Sequence, residues 1–284
     1  MTDVLSAILR ALSFVLLFQA AGVAIFVALF GRRLASSRGV RRLGQAAALA
    51  AMVLVAGHYA LEAARMTGEL SGMWDSSLQG IVWHSPSRAA LICRLSGLLL
   101  ITIGLQGASP RWTIVAVAGA VLAALAFTLT GHTSVNVHRG ALATLLMLHL
   151  MVVAFWFGAL WPLIVASLRE TPARASEIIE RFTAVATWLV PVILLAGIVM
   201  AVLLLPSVSA LSEPYGKLLI AKVVGFAVLM GLAAANKWRL GPALVHGSVQ
   251  TGRWFRRSVA AEYVLIAAVL TITAVMTSFF SPEA

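Results

Sequence analysis

The chain has 284 residues, of which 61% are hydrophobic and 11% are charged, and its formal net charge is +11. A soluble domain of this length carries roughly twice that share of charged residues, so the composition excludes an ordinary soluble globular protein. The single cysteine, Cys93, excludes an internal disulfide and a zinc site built from four thiolates.

Long apolar blocks dominate the chain, and a block of about 20 residues crosses the bilayer core as a helix that satisfies its own backbone hydrogen bonds. Eight such blocks predict an all-α fold, a polytopic integral membrane bundle of eight transmembrane helices in one transmembrane domain over residues 1–284. The first block, Ala11–Phe30, is followed by two arginines and not by a cleavage site, so we expect a span there and no signal peptide. In chain order the predicted spans are residues 8–30, 43–64, 89–107, 112–130, 141–167, 182–205, 217–236 and 260–280, with Pro110 and Arg111 between the third and the fourth.

Basic residues are distributed unevenly between the two sides of such a bundle. The odd-numbered loops contain 14 of them and the opposite side contains 5. The positive-inside rule therefore predicts that both chain termini face away from the cytoplasm, which means the periplasm for a bacterial inner membrane. Because this charge orients the chain, we expect the lipid bilayer as the partner and no nucleic-acid binding. The odd loops hold Arg32, Arg33, Arg38, Arg41, Arg42, Arg111, Arg169, Arg174, Arg181, Lys237, Arg239, Arg253, Arg256 and Arg257, and the opposite side holds Arg10, Arg65, Arg88, Arg139 and Lys217.

Five of the six histidines fall in the predicted outer half of the bundle. His58 lies near the outer end of the second span, His132 at the outer end of the fourth, and His138 in the loop that follows. His149 lies about ten residues, or roughly 15 Å, inside the fifth span. A histidine inside a span is costly without a partner, so this distribution points to a functional site at the periplasmic side.

Imidazole nitrogen binds copper, zinc and iron, and thioether sulfur binds Cu(I), so the histidines predict a metal site. His58 and Glu62 are four residues apart and share one helix face, which lets the carboxylate orient the imidazole or share a ligand. Two purely structural roles stay open as alternatives: His132 and His149 hold their two spans together by hydrogen bonding, and Cys93 is simply a small buried residue. The predicted metal ligands are His132, His149, His58 and His138, with Glu62, Met66 and Cys93 as weaker candidates.

Two segments, Gly131-His132 and HLMVVAFWFGAL at residues 149–160, resemble the copper resistance protein D family. In that family a Gly-His pair is followed in the next span by a histidine and, seven residues later, by Trp-x-Gly-Gly-Leu. Ala159 replaces the second glycine of that pattern, and Leu146 stands where many members carry an aspartate. The residues that match the pattern are His149, Trp156, Gly158 and Leu160.

The C-terminal half carries a second set of motifs similar to the same family, so that the resemblance covers about residues 130–280. Tyr215-Gly216-Lys217-Leu218-Leu219 and Lys222 are followed, in the family's order and spacing, by an asparagine, a proline and an Arg…Glu pair. A lysine one turn inside a span must reach the interface or find a partner. We predict a structural clasp between neighbouring helices, with a gate as the alternative. The residues assigned to this structural or gating role are Lys222, Asn236, Arg257 and Glu262.

The resemblance implies a multi-pass inner-membrane protein of copper homeostasis and resistance, which binds copper as Cu(I) or Cu(II) or transports it. We expect no enzyme, and the absence of a P-loop implies transport that is passive or driven by an ion gradient. The resemblance also implies a separate periplasmic copper-binding protein as a partner, while the oligomeric state is not predicted.

Two other functions compete with copper handling. In the first, two intramembrane histidines on facing helices, such as His58 and His149, act as the axial ligands of haem b in a membrane cytochrome that transfers electrons. In the second, the protein is a scaffold whose histidines only connect helices.

Overall fold

The computed structural model describes residues 1–131, 137–205, 207–244 and 249–280. Within these ranges eight helices are long and apolar enough to cross a membrane, which confirms the predicted all-helical bundle of eight spans. A ninth helix, α3, is short and precedes the third span. The helices are α1 (Thr2–Phe30), α2 (Ser37–Thr67), α3 (Ser76–Trp83), α4 (Pro86–Gly104), α5 (Pro110–Leu125), α6 (Arg139–Arg169), α7 (Pro172–Leu204), α8 (Pro214–Ala235) and α9 (Val249–Phe279).

Proline marks the beginning of four of these helices. Pro86, Pro110, Pro172 and Pro214 each occupy the first turn, where the missing N–H costs no hydrogen bond. Pro110 therefore ends the short connection after α4 and separates the third span from the fourth, as the sequence predicted. Several helices, α7 and α9 above all, begin well before the apolar span predicted for them. The reason is that polar and basic first turns carry helix beyond the part that hydropathy detects.

The helix ends define two faces of the bundle. We call the side where α1 begins and α9 ends the terminal face. There Nη1 of Arg10 donates to the carbonyl oxygen of Thr277 at 3.0 Å and to Oγ of Ser278 at 3.2 Å, which joins α1 to α9. Nε of Arg65 lies 2.8 Å from Oδ1 of Asp3 and joins the end of α2 to the beginning of α1.

The opposite face is held by polar contacts between other helix ends. The backbone N–H and the hydroxyl of Ser36 each donate to Oε1 of Glu170 at 3.0 Å, so the beginning of α2 is joined to the end of α6. Nε of Arg33 lies 3.3 Å from Oε1 of Glu177, which joins α1 to α7. These contacts fix the order of the helices at this side of the bundle.

Helix α1 forms the centre of the bundle and packs against α2, α5, α6 and α9. At its crossing with α6, Gly22 and Gly158 bring the two backbones together. A Cβ atom at Gly22 would lie 1.8 Å from the carbonyl oxygen of Ala154, and one at Gly158 would lie 2.3 Å from Cα of Gly22. Small residues permit such approach between membrane helices, so this part of the predicted Trp-x-Gly motif has a packing role.

Candidate functional site

The predicted metal ligands are distributed over different parts of the bundle. His132 lies outside the described residues. His138 stands at the exposed position immediately before α6, where its carbonyl oxygen accepts a hydrogen bond from the backbone N–H of Leu142 at 3.0 Å. It is therefore at the terminal face, in the loop where the sequence placed it.

His58 lies on α2 and is only 6% exposed. Its Nδ1 is 4.0 Å from Oε1 of Glu62, one turn further along the same helix. Its Nε2 is buried and has no hydrogen-bond partner among the described residues. The neighbouring carboxylate thus faces one nitrogen of the ring and leaves the other nitrogen available.

A cavity of about 50 Å³ opens beside His58, near the terminal face. Its lining comes from α1, α2 and α4, with Thr130 from the segment after α5. The side chains that give it polar character are Arg10, His58, Tyr59, Glu62, Arg94 and Thr130. Two guanidinium groups and one carboxylate make the balance of fixed charge positive, and this repels a metal cation from His58.

Arg94 enters this cavity from the apolar third span. Its guanidinium carbon lies 4.7 Å from the ring centre of Phe127, a cation–π contact that stabilises a charge inside the bundle. Phe127 is held in turn by Phe14 and Phe18 of α1, with ring centres 5.0 and 5.5 Å away. These aromatic contacts fix the position of the arginine between α1, α4 and the end of α5.

His149 lies on α6 and faces the C-terminal half of the bundle. A Cβ atom at Gly197 of α7 would lie 3.9 Å from Cε1 of the ring, so the imidazole packs against the backbone of that helix. Its Nδ1 is buried and lacks a hydrogen-bond partner within the described part of the chain. Lys222 of α8 lies close enough to act on the ring electrostatically.

The structure does not bring His58 and His149 together. His58 has its neighbours on α1 and α4, whereas His149 packs against α7. Central helix α1 contacts both α2 and α6, the two helices that carry these histidines. This arrangement does not resemble a pair of axial haem ligands on facing helices, and no feature of the described residues favours the haem alternative.

The weaker metal candidates do not complete a site. Glu62 belongs to the cavity beside His58, Met66 is 55% exposed, and Cys93 is a half-buried free thiol next to Arg94 in the chain. Across residues 1–131, 137–205, 207–244 and 249–280, no group of three or more His, Cys, Asp or Glu side chains is placed to hold a metal ion.

Of the four polar residues assigned to a clasp or gate, Asn236 and Glu262 contact each other, and Arg257 and Lys222 lie apart from them. Glu262 of α9 is 3% exposed, and its carboxylate accepts from the indole of Trp156 at 3.3 Å and from Nδ2 of Asn236 at 2.5 Å. A π-helical turn, Asn236–Leu240, follows α8 at this point. Arg257 instead stacks over Trp254 at 5.6 Å, and Lys222 is not part of this group.

The contribution of Arg94, Tyr59 and Arg10 to a polar cavity was not predicted from the apolar blocks. Arg94 could have been predicted from the sequence as a functional candidate. It is an ionisable residue in the middle of an apolar span, and the same rule selected the histidines. Arg10 entered only the count of loop charges. Tyr59 has no signal in the sequence beyond its place next to His58.

Comparisons with known proteins agree with this architecture. Residues 1–141 match the family model described as copper resistance protein D-like, N-terminal domain, and residues 176–276 match the model described as copper resistance protein D. The chain is also 28% identical to the copper resistance protein D of Pseudomonas syringae pv. tomato, over 93% of this chain and 90% of that protein. No solved structure matches the chain.

Proposed function

Because the chain belongs to the copper resistance protein D family, with a role in copper resistance, we propose that it binds copper at the terminal face and transports it across the bacterial inner membrane. Matches to both family models cover most of the chain, so the proposal concerns the whole eight-helix bundle. The terminal face is the periplasmic side in this proposal, since the opposite side carries most of the basic residues.

The observation that carries the proposal is the state of His149. Its Nδ1 is buried and has no hydrogen-bond partner among the described residues, and the ring's one hydrogen-bonding neighbour is the backbone of Ile193 on α7. A buried polar atom inside a membrane is costly unless a partner is supplied. The ring also packs against α7 at Gly197, which has no side chain to fill the space beside Cε1. A copper ion that passes between α6 and α7 would supply a partner for Nδ1, since imidazole is a good ligand for copper.

We assign the entry of the ion to His132 and His138, which bracket the loop before α6 in the sequence. His149 follows about 15 Å further into the same helix, at 1.5 Å per residue. Sites of few ligands bind strongly enough to load and weakly enough to release, which conduction requires. His58 is left out of this path, because it lies on α2 with its neighbours on α1 and α4, whereas the path follows α6 from His138 to His149.

Lys222 limits how long a copper ion stays at His149 in this proposal. Its positive charge acts on His149 from α8 and disfavours an ion that stays there. In this proposal His149 therefore serves transit of the ion and not its storage.

The experiment is copper accumulation in bacterial cells that lack the gene or express one variant of it. We expect the wild-type protein to change accumulation, and His149→Ala and His132→Ala to abolish that change at equal protein level. An increase that the variants remove means import, and a decrease means export. His84→Ala is the matched control, since this exposed histidine has its Nδ1 2.7 Å from the carbonyl oxygen of Gly80 within its own segment. Wild-type behaviour of both test variants would contradict the proposal.

A further inference from the structure

The cavity near the terminal face contains more positive than negative charge, since two arginines and one glutamate line it. Arg10 and Arg94 make no ion pair with any described carboxylate. Glu62, the single acid in the lining, has its Oε1 4.0 Å from Nδ1 of His58. Glu62 acts on both guanidinium groups without forming an ion pair with either, so one carboxylate faces two positive charges and a second anion can be accommodated.

Four of the residues that line this cavity have a polar atom without a partner. Nε of Arg10, Nε of Arg94, Nε2 of His58 and the hydroxyl of Tyr59 are all buried, and none has a hydrogen-bond partner in the described part of the chain. Buried polar atoms in folded proteins are nearly always satisfied by protein, water or ligand. Four such atoms around one small space point to an occupant that accepts hydrogen bonds.

The geometry of the arginines favours a carboxylate. Arg10 uses Nη1 to bind the end of α9, and its Nε has no hydrogen-bond partner among the described residues. A carboxylate binds a guanidinium edge through two parallel N–H···O bonds, a match that spherical anions do not offer. The cation–π contact of Arg94 with Phe127 likewise leaves its Nε free.

The volume limits the size of the occupant. A single water requires about 10–15 Å³ of such space, so a cavity of about 50 Å³ accommodates a guest of three or four heavy atoms. Formate, acetate and bicarbonate have this size, and all present a planar pair of oxygens.

We propose that the cavity formed by Arg10, Tyr59 and Arg94 binds a small carboxylate anion. The site lies between α1, α2 and α4 and is distinct from the transit path along α6. It does not rest on copper transport, and an anion held there fastens α4 to α1.

The test is binding of ¹³C-labelled formate to the purified copper-free protein in detergent, followed by NMR line broadening and by thermal unfolding. Saturable broadening and a higher unfolding temperature are expected, while equal concentrations of chloride compete weakly. Arg94→Gln should raise Kd about tenfold or more, the loss expected for a charge-assisted hydrogen bond. Arg88→Gln is the control, because Arg88 lies on the same helix over Trp83 and outside the lining.

Tyr59→Phe keeps the test decisive if Arg94→Gln does not fold. It removes one hydroxyl and should weaken formate binding about threefold to tenfold, with unchanged unfolding temperature in the absence of formate. No saturable binding, equal displacement by chloride, or wild-type affinity in the folded Arg94 or Tyr59 variant would overturn the proposal, and the cavity would then hold water alone.

Discussion

The indole nitrogen of Trp156 donates a hydrogen bond to Oε2 of Glu262 across 3.3 Å, near the middle of α6 and α9. Asn236, at the end of α8, donates to the other carboxylate oxygen. One buried acid thus connects three helices that are far apart in sequence. Both donors are neutral, so the acid is held by hydrogen bonds and not by a salt bridge with any described residue.

Replacement of this acid should destabilise the C-terminal half of the bundle. Glu262→Leu leaves the N–H groups of Trp156 and Asn236 without acceptors, and a buried unsatisfied group costs about 1–3 kcal/mol of unfolding free energy. Glu262→Gln keeps an acceptor for one of them and should lose less. Thermal unfolding of the purified protein measures both, with Glu69→Leu at an exposed position as the control. Equal stability of Glu262→Leu and the wild type would show that the bonds contribute nothing.

The crossing of α1 and α6 gives a second prediction. Gly158→Ala places a Cβ atom 2.3 Å from Cα of Gly22, so the two helices must separate. Overpacking of this kind costs about 1–3 kcal/mol, and we expect the unfolding temperature to fall by several degrees. Gly231→Ala is the matched control, because nothing lies within 4 Å of a Cβ atom there. If Gly158→Ala unfolds at the same temperature as Gly231→Ala, the close approach is wrong.

The sequence alone predicted the eight spans because length and hydropathy are local properties. It predicted the partnership of Asn236 with Glu262 only as a clasp between adjacent helix ends. The third member, Trp156, belonged to a different motif. The close approach of Gly22 and Gly158 was not predicted. It depends on which helices become neighbours in the bundle, and a local sequence pattern does not contain this information.

The candidate metal site was less predictable than the fold. Grouping of His58 with His149 relied on their similar side of the membrane, which says nothing about position around the bundle. The structure separates them because α2 packs against α1 and α4, while α6 packs against α7. Arg94 also argues against His58 as a metal ligand, since its positive charge lines the same cavity and repels a cation.

Membrane orientation is a separate prediction. The terminal face should be periplasmic, because the basic loops lie at the opposite side and cytoplasmic loops retain such charge. Alkaline phosphatase fused after Ala284 should be active, and the same enzyme inserted between α6 and α7 at Thr171 should be inactive. Green fluorescent protein at the two positions should give the inverse result. The opposite pattern would reverse the direction of the proposed path.

An optical spectrum distinguishes copper handling from electron transfer. Because His58 and His149 have different neighbours, we expect the protein purified from haem-replete cells to show no Soret band and no change with dithionite. A strong Soret band that shifts on reduction and disappears in His58→Ala or His149→Ala would establish the haem alternative in place of the proposed function.

The most direct measurement of the central claim is copper flux into proteoliposomes that contain the purified protein. A copper gradient across the membrane should drive ion entry above the rate of protein-free vesicles, and His149→Ala should reduce that rate by about tenfold, the order of loss seen when a group that supports a metal site is removed. His84→Ala should transport at the wild-type rate. Equal flux through wild-type and His149→Ala protein, or wild-type flux no faster than that of empty vesicles, would contradict the account.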